Sequence, residues 1–169
     1  VDLSAISKPI LAEHMGFVQQ EGRLFAGTLR ENITLGMIDP GDERILEVSR
    51  MTGLLEMVIS PHPQGLQQEI FEGGTSLSGG QRQLINLTRA FLRQPSIWLL
   101  DEPTASMDRK LEKKIILALH EQLSQQDTMI LVTHKMEMVQ LVERIIVIAK
   151  GTIAMDGPRD QVLNQLRSA

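Results

Sequence analysis

Apolar residues recur along this chain in two rhythms. The first is helical. Leu84, Leu87 and Phe91 follow a Ser-Gly-Gly turn and predict a helix over 82–92. Leu111, Ile115, Leu119 and Leu123 fall four apart, on one face of a second helix with its charges on the other side. A weaker form of the pattern, at Ile45, Leu46, Val48, Met51 and Leu55, predicts another. Shorter helices are expected at Ile10 and Leu11 after Ser7 and Pro9, over 136–142, and after Pro158, carrying Val162, Leu163 and Leu166. In the second rhythm polar residues drop out altogether. Residues 97–100, 129–132 and 145–148 are unbroken apolar runs, which predicts strands buried on both faces, as in a parallel sheet. Phe17-Val18 and 153–155 are shorter strand candidates. Turns separate these elements at Gly16, at Asp39-Pro40-Gly41-Asp42 with Asp42 as the expected helix cap, at 61–65, at 125–127 and at Lys150-Gly151. Strands and helices interleave, and 30–94 is mostly helical, so the fold class is α/β.

Composition narrows the picture modestly. The 169 residues suffice for one domain with a real core, and 42% hydrophobic with 22% charged residues is ordinary for a globular protein. A net charge of −4 argues against a nucleic-acid partner. With no cysteine there is no disulfide or thiolate framework. No apolar run approaches the ~20 residues that span a bilayer, and no leader pattern opens the sequence. Any membrane role is therefore expected to come through a partner.

Three strand or helix ends carry candidate chemistry. Ser78-Gly79-Gly80 opens the first helix. Its free N–H groups favour an anion, the glycines let backbone approach a ligand, and Gln81 adds a side-chain donor. By itself this is also what an ordinary capped helix looks like. Asp101 and Glu102 directly follow the 97–100 strand. Carboxylates at the carboxyl end of a parallel strand can hold Mg²⁺ through water or accept a proton from an attacking water, whereas a lone Asp-Glu elsewhere is commonly a solvated loop. Thr133-His134 ends the 129–132 strand in the same way. Gln20 follows the Phe17-Val18 strand and, without context, is a turn residue. Asp108 can cap the helix that begins after it. His62, between two prolines, reads as surface.

In their order along the chain these residues resemble the ATP-binding cassette (ABC) ATPases. Leu77-Ser78-Gly79-Gly80-Gln81 is similar to the family's signature motif, residues 97–102 to its Walker B strand, and 105–108 to its D-loop. Leu24-Phe25-Ala26-Gly27-Thr28, leading to Asn32-Ile33, resembles the segment after the Q-loop glutamine, which counting back makes Gln20. His134 matches the H-loop histidine. Glu72 matches an exporter glutamate that contacts the transmembrane partner, although Phe71 departs from the usual glycine there.

The resemblance implies an incomplete P-loop NTPase (ABC ATPase) fold: a mostly parallel sheet with helices, plus an α-helical signature subdomain. Residues 1–29 would end the first part of a RecA-like core and hold the Q-loop. Residues 30–94 would be the helical subdomain, and 95–169 the rest of the core. It further implies ATP and Mg²⁺ as ligands, with Asp101 and Gln20 toward the metal, Glu102 as general base and His134 at the γ-phosphate. Ser78, Gly79, Gly80 and Gln81 would close on ATP held by a second copy, and Asp108 would contact that copy. The expected partners are that second copy and the transmembrane domain of an exporter, at the cytoplasmic face of the inner membrane. Residues 24–33 together with His62-Pro63-Gln64-Gly65 look most like type I secretion ATPases. A lipid or drug exporter and a non-catalytic interaction module are the alternatives.

No phosphate loop of the form G-x-x-x-x-G-K followed by Ser or Thr occurs. In the family it lies upstream of the Q-loop, so the expectation is a chain shortened at its start, inactive alone. The strand leading into that loop would lie beside both 129–132 and 145–148, leaving each with an unpaired edge.

Overall fold

Strand β4 (Ile97–Asp101) is the centre of a three-stranded parallel sheet. On one side lies β1 (Met15–Val18) and on the other β5 (Thr128–Val132), giving the order β1-β4-β5. The register sets Val18 opposite Leu100 and Leu100 opposite Leu131. These belong to a computed structural model, which describes residues 5–168. The chain divides into two compact units, Val1–Val132 and Thr133–Ala169.

In the first unit, one face of the sheet is a packed core. Val18, Trp98 and Leu100 are almost wholly buried on it. The Phe91 ring meets Trp98 edge-on at 5.4 Å, fastening helix α4 (Gly79–Arg93) to the central strand. The other face is open. Phe17, Ile130 and Val132 are 58%, 56% and 56% exposed. The expectation that 129–132 is buried on both faces is therefore corrected: β5 is an edge strand with one covered face, and an apolar run does not by itself provide the second cover.

Helix α1 (Lys8–His14) precedes β1, and a short antiparallel pair, β2 (Gly27–Thr28) with β3 (Glu69–Ile70), joins the helical block. That block is built on α2 (Leu29–Ile33), α3 (Asp42–Thr52) and α4, with a π-helical turn at Leu55–Ile59. Helix α2 begins at a reciprocal capping box between Thr28 and Glu31. In α3 the cap is Gly41, not the expected Asp42. The reason is Arg30, whose guanidinium takes the carboxylates of both Asp39 and Asp42. Asp39 also accepts the Gly41 N–H at 2.9 Å, and these partners hold its carboxyl below the usual range, with Arg30 the larger cause. Helices α3 and α4 meet at a buried hydroxyl pair, Thr52 with Thr88 at 2.8 Å, and Ile45 and Val48 of α3 are fully buried. Helix α5 (Arg109–Gln122) buries Ile115 and Leu119 of the predicted stripe.

The second unit is an antiparallel hairpin, β6 (Arg144–Ala149) with β7 (Thr152–Pro158), preceded by a 3-10 turn at Met136–Leu141 and followed by α6 (Arg159–Ser168). Lys150 and Gly151 both have positive φ, 51° and 77°, the two-residue turn that matches strand twist. Here too the expectation of burial on both faces fails for 145–148, since Ile146 and Ile148 are exposed; on β7, Ile153 is exposed as well. Arg144 and Asp156 pair across the hairpin at 2.7 Å, which lowers the pKa of Asp156.

Candidate functional site

Helix α4 starts as its sequence dictates. Ser78 is in extended backbone, its hydroxyl accepts the Gln81 N–H at 3.2 Å, and the Gln81 side-chain oxygen accepts the Ser78 N–H at 2.9 Å. That box satisfies the third helical N–H and leaves those of Gly79 and Gly80, at the first two positions, without an intrahelical acceptor. The Gln81 amide nitrogen donates to the Met57 carbonyl at 3.1 Å, so this side chain ties the helix start to the π-helical turn. The close approach expected of the glycines is to the chain itself. A Cβ on Gly80 would sit 2.8 Å from the Ser106 carbonyl oxygen, and one on Gly79 would sit 3.2 Å from the Ser106 hydroxyl.

At the carboxyl end of β4, Asp101 and Glu102 are both half-buried. Glu102 adopts a left-handed backbone, φ 46°, which a non-glycine residue rarely does. Three bonds hold it there. Its N–H donates to the Val132 carbonyl at 2.9 Å, and its own carbonyl accepts the Ala105 N–H at 3.1 Å and the Gln83 side-chain NH₂ at 2.7 Å. The Gln83 oxygen in turn accepts the Ser106 N–H at 3.3 Å. The chain then turns into α5, where Asp108 accepts the Leu111 N–H at 2.8 Å and caps the helix as its position predicts.

Gln20 lies two residues past β1. The pairing of Val18 with Leu100 places it at the sheet end occupied by Asp101 and Glu102. It is exposed and lines a cavity of about 730 Å³ together with Phe25, Glu72, Gly79, Arg82 and Ser106. Glu72 accepts the Ala26 N–H at 3.1 Å there. His134 belongs to the second unit, where it is exposed in the bend before the 3-10 turn.

Two residues of the site carry no motif in the sequence. Gln83 stands on the same stripe as Leu87 and Phe91, and a glutamine on an apolar stripe is itself a sign of a buried partner. Arg89 ties α4 to the segment after Gln20. It donates to the Arg23 carbonyl at 2.9 Å, to the side-chain oxygens of Asn32 at 3.1 Å and Asn86 at 2.8 Å, and to the Asn32 carbonyl. Burial, with the nearby Arg93 charge, pushes its guanidinium down to about 10. Leu87, Thr88, Ala90 and Phe91 beside it mark an apolar helix but do not name these partners, the farthest of which lies 66 residues away.

Residues 1–105 match the family model described as ABC transporter. The chain belongs to that family. It is 35% identical over 164 residues to an uncharacterized ABC transporter ATP-binding protein of Sinorhizobium fredii, covering 97% of this chain and 28% of that protein. It is 39% identical over 166 residues to multidrug resistance protein 3 of Entamoeba histolytica, covering 96% of this chain and 12% of that protein. Among solved structures it is similar to a bacterial Atm1-family ABC exporter with ATP bound, at TM-score 0.87 and 26% identity, covering 97% of this chain and 28% of that one. The chain thus spans little more than a quarter of the longest-matched of these proteins. The fold is that of an ABC exporter's nucleotide-binding domain, a parallel sheet with helices of the P-loop NTPase class.

The residues present suit part of a Mg-ATP site, the ligand pair expected of this family. Two helix N-terminal amides can meet a phosphate, and two carboxylates stand at a strand end. Among the described residues no three His, Cys, Asp or Glu side chains gather to form a metal centre of their own. Mg²⁺ arriving with phosphates needs only one or two protein oxygens, which Asp101 and Gln20 can supply.

Proposed function

We propose that this chain is the carboxy-terminal part of the nucleotide-binding domain of an ABC exporter, which binds and hydrolyses Mg-ATP in a head-to-tail dimer of two such domains. The observation that carries the reading is one assembly. The Ser78–Gln81 helix start and the Asp101-Glu102 strand end are joined through Gln83 and packed against each other at Ser106. An anion-binding turn and a candidate base are thus held as a single piece.

In this reading Glu102 accepts the proton of the attacking water, a role worth roughly 10²–10⁴ in rate. Asp101 holds the water shell of Mg²⁺, which neutralises phosphate charge when bound. Gln20 and His134 position the water and the terminal phosphate. Ser78, Gly79, Gly80 and Gln81 face the nucleotide of the opposite copy, and Asp108 meets that copy. Residues 1–29, 30–94 and 95–169 are the corresponding parts of core, helical subdomain and core. With no phosphate loop among its 169 residues, the chain by itself does not turn over ATP.

In this reading the transmembrane domain of an exporter is the partner, at the cytoplasmic face of the inner membrane; no helix among the described residues is itself long and apolar enough to cross a membrane. The cavity lined by Gln20, Phe25 and Glu72 supports a docking place for that partner. Residues 24–33 and 62–65 favour a protein or peptide cargo, as in type I secretion. The likeness to multidrug resistance proteins favours a drug exporter as the second reading.

In the intact protein, Glu102→Gln is expected to nearly abolish steady-state ATP turnover while calorimetric ATP affinity stays, since only the proton acceptor is lost. Normal turnover in that variant removes Glu102 from the role. The same titration on the 169-residue chain alone should show no tight binding.

A further inference from the structure

Gln83 is 1% exposed, in the first turns of α4, and its amide nitrogen and oxygen each bond a backbone group of another segment. The NH₂ group donates to the Glu102 carbonyl at 2.7 Å, and the oxygen accepts the Ser106 N–H at 3.3 Å. A carbonyl can only accept and an N–H can only donate, so these partners fix which way the amide points.

Both partners matter to where Glu102 sits. Its left-handed backbone, φ 46°, is a conformation that persists only where the surroundings over-determine it. The Val132 and Ala105 bonds come from the strand and from the turn itself. Gln83 is the holding group that comes from α4. Three residues upstream on the same helix are Gly80 and its close contact with the Ser106 carbonyl. A shift or rotation of α4 is therefore transmitted to Glu102 at one end of the turn and to Ser106 at the other.

We infer that Gln83 is a positioning residue that sets the backbone of Glu102 from the signature helix, so that the carboxylate is aimed for proton transfer only when α4 is correctly seated. The inference rests on the reading of Glu102 as the general base. It adds a dependence between sites: the helix start that meets the opposite copy's nucleotide also holds the base serving its own.

The test measures kcat and KM for ATP in the intact protein carrying Gln83→Met or Gln83→Glu, beside Glu102→Gln. Gln83→Met removes both bonds at similar length. Gln83→Glu keeps the shape and the acceptor for Ser106 but sets an oxygen against the Glu102 carbonyl, and it serves if the methionine variant does not fold. Each is expected to lower kcat at least tenfold with KM within twofold of the parent. A kcat within twofold of the parent in the glutamate variant overturns the inference. So does a loss carried by KM, which would mean Gln83 acts on nucleotide binding. If Glu102→Gln itself turns over ATP normally, the base assignment has failed, and that outcome is distinct from wild-type kcat at Gln83 with a dead Glu102→Gln.

Discussion

Phe91→Ala tests the contact on which the site's geometry depends, the edge-on packing of α4 against Trp98. Phe91 is wholly buried, and its ring centroid lies 5.4 Å from that of Trp98 at an interplanar angle of 76°. Truncating a buried phenylalanine to alanine costs about 3–5 kcal/mol, combining lost transfer energy with the cavity left behind. An aromatic pair in this geometry accounts for about 0.5–1.5 kcal/mol beyond area. Taking about 4 kcal/mol in all, against a domain stability of roughly 5–15 kcal/mol, the change removes a large share of the margin. With a urea slope of about 2 kcal/mol/M, the unfolding midpoint should fall by about 2 M. The chain holds a single tryptophan, Trp98 itself, so intrinsic fluorescence reports on this very contact during the titration. Phe91→Leu, which keeps apolar volume and loses the ring pair, should lie between parent and alanine. A midpoint shift below about 0.5 M in the alanine variant, at unchanged slope, would mean that α4 is not anchored through Trp98.

The further expectations concern the helix start and the hairpin. Gly80→Ala sets a Cβ 2.8 Å from the Ser106 carbonyl oxygen, a backbone group that does not yield cheaply, so the clash works against the up to about 1 kcal/mol of helix propensity that alanine gains over glycine. The Ser106 backbone must shift, and turnover in the intact protein should fall, on the order of the 10²-fold cost of a ~1 Å misplacement. Unchanged turnover would show that the Gly80–Ser106 contact yields freely. Gly80→Asp, which sets a carboxylate at the helix N-terminus, should also abolish ATP-dependent dimerisation in light scattering. In the hairpin, the folded pKa of Asp156 lies below its unfolded value of 3.8 because Arg144 donates to it. Its stabilising contribution is thus present above pH 3.8 and lost as pH falls through the folded pKa. A carbon-13 titration of the Asp156 carboxyl should place its midpoint below that of a peptide, and a peptide-like midpoint would contradict the pair.

What the sequence made legible was mostly local. The Ser78 and Asp108 caps follow from side-chain reach over three residues, and both form as expected. The central strand was legible because β4 has a neighbour on each side and its core face is filled. The open faces of β5, β6 and β7 were not, because cover for a strand is supplied by distant chain, and the residues of an edge strand can be as apolar as those of a central one. Asp42 was misplaced for a related reason: the best local acceptor was diverted by Arg30, twelve residues earlier. At the site, the strand-end carboxylates and the helix turn could be found by position. The place of Gln83 on an apolar stripe signals a buried partner, but which partner depends on a backbone bend at Glu102 that no residue preference announces.

Arg89 bears on how this unit comes apart. Its acceptors at Asn32 and Arg23 lie 57 and 66 residues earlier in the chain, so the bonds form only after a long loop has closed. The segment after Gln20 and the middle of α4 are then released together, in one cooperative opening that exposes a cation and several carbonyls at once, instead of fraying from the segment's end.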